Sequence, residues 1–343
     1  MKRRKFLATT STAVSVPLLL RGMPVQAVEQ SSIFNFMNTE TDRVLVLINL
    51  NGGNDGLNML LPLDQYDKLA NNRSNVLYSD NAALQITDHA AFHPEMGGAQ
   101  KLFDEGRLSI IQSVAYPNQN RSHFRSTDIW TTGSPADEFW TTGWLGRFLE
   151  LSHASFPEGY PNADHPDPLA MTMDSFVSET CQGTVSNFSL AVTDPFSLGD
   201  LATGGEDEVP DNPYGDELEF LRTTIAQTNA YSDTILSAAD LGNNQVDYPS
   251  DNRLAQQLKN IALLISGGLK TKIYVANLGG FDTHANQVEE GDPSTGVHAE
   301  LLRYLSDAME AFQNDLETLG LGERIECDGQ IQRKSSLPPA LLN

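Results

Sequence analysis

Positive charge is scarce in this chain. Twenty-two lysines and arginines stand against 45 aspartates and glutamates, for a formal net charge of −23 over 343 residues. A surface so acidic repels nucleic acid and anionic lipid, so neither is an expected partner. Cysteine is nearly absent. Cys181 and Cys327 are far apart and lack metal-type spacing, which argues against a zinc site built on thiolates. The pair is expected to remain two unpaired thiols, with a bridge between them as the open alternative. Uninterrupted hydrophobic runs of spanning length are also missing. The apolar stretch from Phe6 to Leu20 is broken by Pro17 and is too short for a transmembrane helix, so no stable membrane span is expected once the N-terminal segment is removed.

What is present is globular: 40% hydrophobic and 20% charged residues, in a chain long enough to bury a substantial core. Residues 1–27 have a basic start, a modest apolar run and small side chains at Val25 and Ala27, the features of a cleavable export signal. Arg3-Arg4-Lys5-Phe6-Leu7 looks like the twin-arginine signal, with Lys2 where Ser or Thr is commoner. The expected destination is therefore the periplasm or the medium, with the twin-arginine translocation machinery as a partner. Removing the five basic residues of that segment, which has no acidic one, takes −23 to −28. Residues 28–42 read as a polar linker, and 43–325 as a single α/β domain.

Three apolar runs organise that domain. Val44–Leu50 (VLVLINL), Leu108–Ala115 (LSIIQSVA) and Ile273–Leu278 (IYVANL) read as buried parallel strands, and each opens into a polar loop. The first runs into NGGNDGLN, where Gly52, Gly53 and Gly56 surround Asp55. The third runs into GGFDTH, which presents Asp282 and His284. The first loop is a tight turn or a ligand site, since glycines serve both positive φ angles and close backbone approach. In the third, Asp282 either caps the following helix beside a surface His284 or the two face a ligand. The second leads to Ser122, at the expected N-cap of a helix reaching about Thr132, where a hydroxyl either caps the helix or meets an anion at its positive end. Arg121, His123 and Arg125 surround Ser122 with a local excess of positive charge that would draw anions.

Helices are expected over 140–151, 216–241, 252–269 and 297–319 from their apolar spacing. His93 is assigned a surface or capping role, because Pro94 follows it, and His298 is placed on a helix surface. In an open α/β sheet, ligands bind outside the carboxyl ends of the strands, where parallel order would gather the three loops.

In their order along the chain, several motifs resemble a family of exported bacterial proteins catalogued as domain of unknown function 1501, in the alkaline phosphatase and sulfatase superfamily. They are the twin-arginine signal, Leu50–Asn58 (LNGGNDGLN), Pro117–Phe124 (PNQNRSHF), Gly143–Arg147 (GWLGR) and Gly279–His284 with Gln287. The resemblance covers about Arg43 to Arg324. It implies a mostly parallel sheet with helices on both faces, and a divalent metal (zinc, manganese, magnesium or calcium) at the strand ends. Asp55, Asp282 and His284 resemble metal ligands, with His123 as an alternative ligand and Ser122 as the nucleophile toward a small anionic ester. Related chains continue beyond the Leu319-Gly320 region with a strand, a Ser-Glu-Phe-Gly-Arg motif and an Asp-His pair. This sequence has none of these, so the C-terminal strand or strands are expected to be lacking and residues 326–343 to be a disordered tail. The expected function is a metal-dependent phosphatase- or sulfatase-like hydrolase, with a non-catalytic exported binding or assembly protein on the same scaffold as the alternative.

Overall fold

The computed structural model describes residues 19–20, 23–24, 42–120, 122–198, 209–210 and 212–331. The chain divides into two units, Met1–Arg43 and Val44–Asn343. In the first, β1 (Leu19–Leu20) and β2 (Met23–Pro24) pair antiparallel. Arg3, Arg4 and the linker up to residue 41 lie outside the described residues, as do 332–343.

In the second unit the VLVLINL run forms β3 (Val44–Leu50), and all seven residues are buried. Only a strand covered on both faces tolerates such a run, and fully burying side chains such as Leu47 and Ile48 contributes about 1.5–3 kcal/mol each. A small antiparallel sheet follows, ordered β4-β6-β5, from β4 (Leu60–Pro62), β5 (Leu84–Thr87) and β6 (Ala90–Phe92). β7 (Ala170–Thr172), β8 (Ser189–Ala191), β9 (Ile273–Leu278) and β10 (Ile325–Ile331) join β3 in a five-stranded sheet of order β10-β3-β9-β7-β8. Every ladder in it is parallel.

The helices, in chain order, are α1 (Gly56–Met59), α2 (Tyr66–Arg73), α3 (Gly97–Asp104), α4 (His123–Thr132), α5 (Trp144–Ser152), α6 (Pro213–Leu241), α7 (Arg253–Ser266) and α8 (Val297–Thr318). Asn252 caps α7 by accepting from the Ala255 N–H, and Leu254, Leu258, Ile261 and Ile265 bury its inner stripe. On one face of the sheet, Val46, Ile48, Tyr274 and Ala276 pack in a single core with α7 and with Leu302, Leu305 and Phe312 of α8. Leu45, Leu47, Ile273 and Val275, which alternate with them, are buried as well. Among the described residues no helix is long and apolar enough to cross a membrane. No disulfide joins Cys181 to Cys327.

Two expectations are corrected here. Leu108–Ala115 is not a buried strand: it makes no ladder, and Ile111 and Val114 are 83% and 66% exposed. Conversely, the polar stretch after Ile325, read as structureless, begins with a strand that runs in register beside β3 from Ile325↔Val44 to Ile331↔Leu50. β3 lies between β9 and β10, so the 108–115 segment does not pair with it. The β10 ladder is made by backbone groups, so a polar sequence can hold it, with Ile325 and Cys327, two residues apart, turned to the core.

Candidate functional site

The loops that follow β3 and β9 are tied together at the carboxyl end of the sheet. Asn51 N donates to Leu278 O at 2.9 Å, and Phe281 N donates to Asn51 O at 3.1 Å. The glycines of the first loop are there for close approach. Gly52 and Gly53 have φ of +111° and +81°. A Cβ on Gly52 would stand 2.5 Å from the Asp282 nitrogen, and one on Gly53 2.3 Å from Cε1 of His123. The backbone between β3 and α1 is thus pressed against both the first turn of α4 and the loop after β9.

That contact gathers three of the expected site residues. Asp282 Oδ1 lies 3.3 Å from His123 Nε2, and Asp282 Oδ2 lies 3.1 Å from His284 Nε2. The carboxylate is straddled by two imidazoles, one contributed 159 positions earlier in the sequence. His284 holds a left-handed backbone at φ +49° and its side chain is 80% exposed, whereas that of His123 is 27% exposed. Ser122 is the N-cap of α4: its Oγ accepts from Arg125 N at 3.5 Å, and its own N–H donates to Asn120 Oδ1 at 2.8 Å. The hydroxyl is exposed beside His123.

Asp55 is close in sequence but turned inward. Its carboxylate takes both guanidinium nitrogens of Arg73, at 3.1 Å on Oδ1 and by a second, shorter bond on Oδ2. Gln287 Nε2 donates to Oδ2 at 2.7 Å, and Leu57 N to Oδ1 at 3.3 Å, which caps α1. Burial alone would raise its pKa, but the bond and charge of Arg73, aided by Gln287, more than offset this and hold the carboxyl below the usual range. Both oxygens are saturated by donors, so Asp55 as placed has no lone pair left for a metal.

Arg125 is corrected in the same way. It is buried, and its guanidinium donates to the carbonyls of Pro135 at 3.0 Å, Ala136 at 3.3 Å and Glu138, while stacking on Phe139 at 4.1 Å. It organises the loop after α4 and is not presented to an anion. Arg121 lies outside the described residues.

The surface half of the surface-or-capping role expected of His93, and the surface placement expected of His298, are also overturned. They are 1% and 2% exposed. His298 Nε2 meets Asn54 Oδ1 at 2.7 Å, and Glu95 N donates to His93 Nδ1 at 3.2 Å. Tyr78 packs edge-on to His93 with ring centroids 4.7 Å apart. Burial pushes both imidazoles down to about 4, with the neighbouring His298 adding to it for His93, and Asp55 opposing it for His298. Sequence reasoning missed Arg73 altogether. The one available signal was general: a long cation in a short helix near an apolar run, in a chain poor in cations, has to meet a carboxylate if it is buried.

Fold and site define an α/β protein with a histidine–carboxylate cluster at the carboxyl ends of a parallel sheet. Compared with known proteins, the chain finds no match among protein-family models, curated proteins or solved structures. Among the described residues, no group of three or more His, Cys, Asp or Glu side chains closes on a point that would hold a metal ion.

Proposed function

We propose that the chain is an exported, metal-dependent hydrolase-like protein of the phosphatase and sulfatase type, related to the domain of unknown function 1501 family, with its centre at His123, Asp282 and His284. The observation that carries this reading is the meeting of those residues, from two separate segments, beside the glycine loop after β3. The residues suit a divalent cation in donor type: one carboxylate and two imidazole nitrogens, with open positions left for water or substrate. As placed, the imidazoles meet different oxygens of Asp282, so the side chains would have to turn for all three to hold one cation. Such a cation supplies Lewis-acid polarisation of an ester oxygen and lowers the pKa of a bound hydroxyl. Without a cation, Asp282 holds the Nε2 atoms of both imidazoles itself, and the Gly53 backbone packs against the ring of His123. Ser122 offers an exposed hydroxyl at the positive end of α4, where a tetrahedral oxyanion is also favoured. Asp55, in this reading, braces the site through Gln287 and is not a ligand.

A second reading, a non-catalytic exported binding protein, is favoured by the saturation of Asp55, which removes one expected ligand. Hydrolysis separates the two. With zinc or manganese added, the protein is expected to cleave 4-nitrophenyl phosphate or sulfate. Chelation should abolish the activity, and Ser122→Ala, folded by circular dichroism, should lower kcat about 100-fold or more. Turnover that survives both chelator and Ser122→Ala contradicts the assignment. No turnover in metal-replete protein leaves the binding reading.

A further inference from the structure

The segment that stays out of the sheet has a surface of its own. Residues 108–115 are rich in β-favouring apolar side chains, yet none of their backbone N–H or C=O groups makes a hydrogen bond among the described residues. Ile111 and Val114 face solvent, 83% and 66% exposed. From Leu108 to Asn120 there is no charged side chain, in a chain of net charge −23. The loop that follows folds onto α4: Tyr116 Oη lies 3.2 Å from Ser126 Oγ, and Asn120 N donates to Tyr116 Oη at 3.1 Å. Phe124, two residues before Ser126, is 87% exposed. Ile111, Val114 and Phe124 thus offer apolar surface on adjoining backbone, next to His123. Exposed apolar surface of this kind marks a contact.

The segment runs the length of the sheet in the direction of β10. Just before it, Arg107 meets Asn314 and Glu317, each at 3.0 Å, near the end of α8, which leads into β10. Just after it, Tyr116 reaches α4 at the carboxyl ends of the strands. β10 is the outermost strand, and its last residue, Ile331, stands in register with Leu50. Three residues beyond Leu50, the Gly53 backbone is pressed against the ring of His123. At about 4.8 Å between strands and about 3.5 Å per residue, Ile331 lies within roughly 20 Å of that ring. The sequence continues for twelve residues more, which can span up to about 40 Å.

We infer that the occupant of this surface is the chain's own C-terminal segment, residues 332–343 (QRKSSLPPALLN). Its reach covers the patch, and its composition complements it. Arg333 and Lys334 stand there without an acidic residue, although acids outnumber bases two to one in the chain as a whole. The acidic body attracts that basic pair, while Leu337, Leu341 and Leu342 find apolar surface to bury against on a strip that carries no charge. Pro338 and Pro339 favour an extended backbone, which suits a long contact over a closed one. A second copy is the poorer occupant, because two bodies of net charge −23 repel each other. The contact does not depend on the hydrolase reading, but it sets the segment beside Ser122 and His123.

Trypsin cleavage after Arg333 and Lys334, followed by intact-mass spectrometry of the full chain, tests the contact. Wild type is expected to lose its C-terminal residues about 10-fold more slowly than two variants, Leu341→Asp with Leu342→Asp and Ile111→Ser with Phe124→Ser. Both variants change exposed or terminal side chains, and melting curves should match that of wild type. Amide exchange over 108–115 should likewise be about 10-fold slower in wild type than in the leucine variant, and equal over α7 and α8. A cleavage rate equal to that of wild type in either variant overturns the contact. So does wild-type cleavage that accelerates on dilution, since the cover is then a second copy.

Discussion

Replacing Arg73 with methionine is expected to destabilise the protein by about 3–5 kcal/mol, the usual consequence of leaving one partner of a buried ion pair uncompensated. Arg73 and Asp55 are 6% and 9% exposed, so solvent does little to screen the loss. Without the guanidinium, the Asp55 carboxylate keeps only Leu57 N and Gln287 as donors, and burial, which already opposes its charge, is left unopposed by any cation. The effect should reach the site. Gln287 ties Asp55 to the loop after β9, the loop that bears Asp282 and His284, so faster amide exchange over residues 281–296 should accompany the loss. Urea denaturation of wild type, Arg73→Met, Asp55→Asn and the double variant measures the coupling. The double variant should recover much of what Arg73→Met loses, because no charge is then stranded. A loss below about 1 kcal/mol in Arg73→Met would mean that the pair is solvated and that Asp55 is available for other ligands.

Acid should weaken the fold well before the carboxylates titrate. His93 and His298 are held near 4 by burial, against an ordinary value of 6.5. Between those values the unfolded chain takes up protons that the folded chain refuses, so stability is full above about pH 6.5 and falls as pH drops toward 4. At about 1.4 kcal/mol per unit, each imidazole contributes a loss of up to about 3 kcal/mol over that window. The groups facing the pair are Asp55, Arg73 and Tyr78. Asp55, held below 3.8, adds its own loss only at lower pH. Relief of the large negative charge acts in the opposite direction, which makes a matched control necessary. Denaturation midpoints at pH 7.5, 6.0 and 5.0 should fall steeply in wild type and much less in a His93→Gln, His298→Gln variant. Equal slopes in the two proteins would show that the buried imidazoles are not the cause.

Much of the fold is written in local patterns. VLVLINL and IYVANL are strands because β-favouring apolar residues in short runs need cover on both faces, and α7 and α8 follow from their apolar spacing. Pairing is another matter. LSIIQSVA has the composition of a strand, and the stretch beginning IECDGQI does not, yet the second occupies the edge of β3. Composition reports what a strand can bury, whereas which segment reaches a free edge depends on the course of the whole chain. The site divides along the same line. Asp282 and His284 stand out in the sequence because they follow a strand through two glycines, and His123 only through the cluster around Ser122; that the three meet is visible only in the fold. The inward turn of Asp55 was not legible, since it depends on Arg73, 18 residues on and in another helix. The burial of His93 and His298 escaped for a related reason: a polar side chain enters a core only with partners, and Asn54 and Tyr78 become partners only in the folded protein.

The claim that the cation centre is built on Asp282 and not on Asp55 is tested most directly by elemental analysis of the reconstituted, desalted protein. The account predicts about one divalent metal per chain in wild type, the same in Asp55→Asn, and none in Asp282→Asn. Metal that persists in Asp282→Asn but is lost in Asp55→Asn, or no metal in wild type, would contradict it.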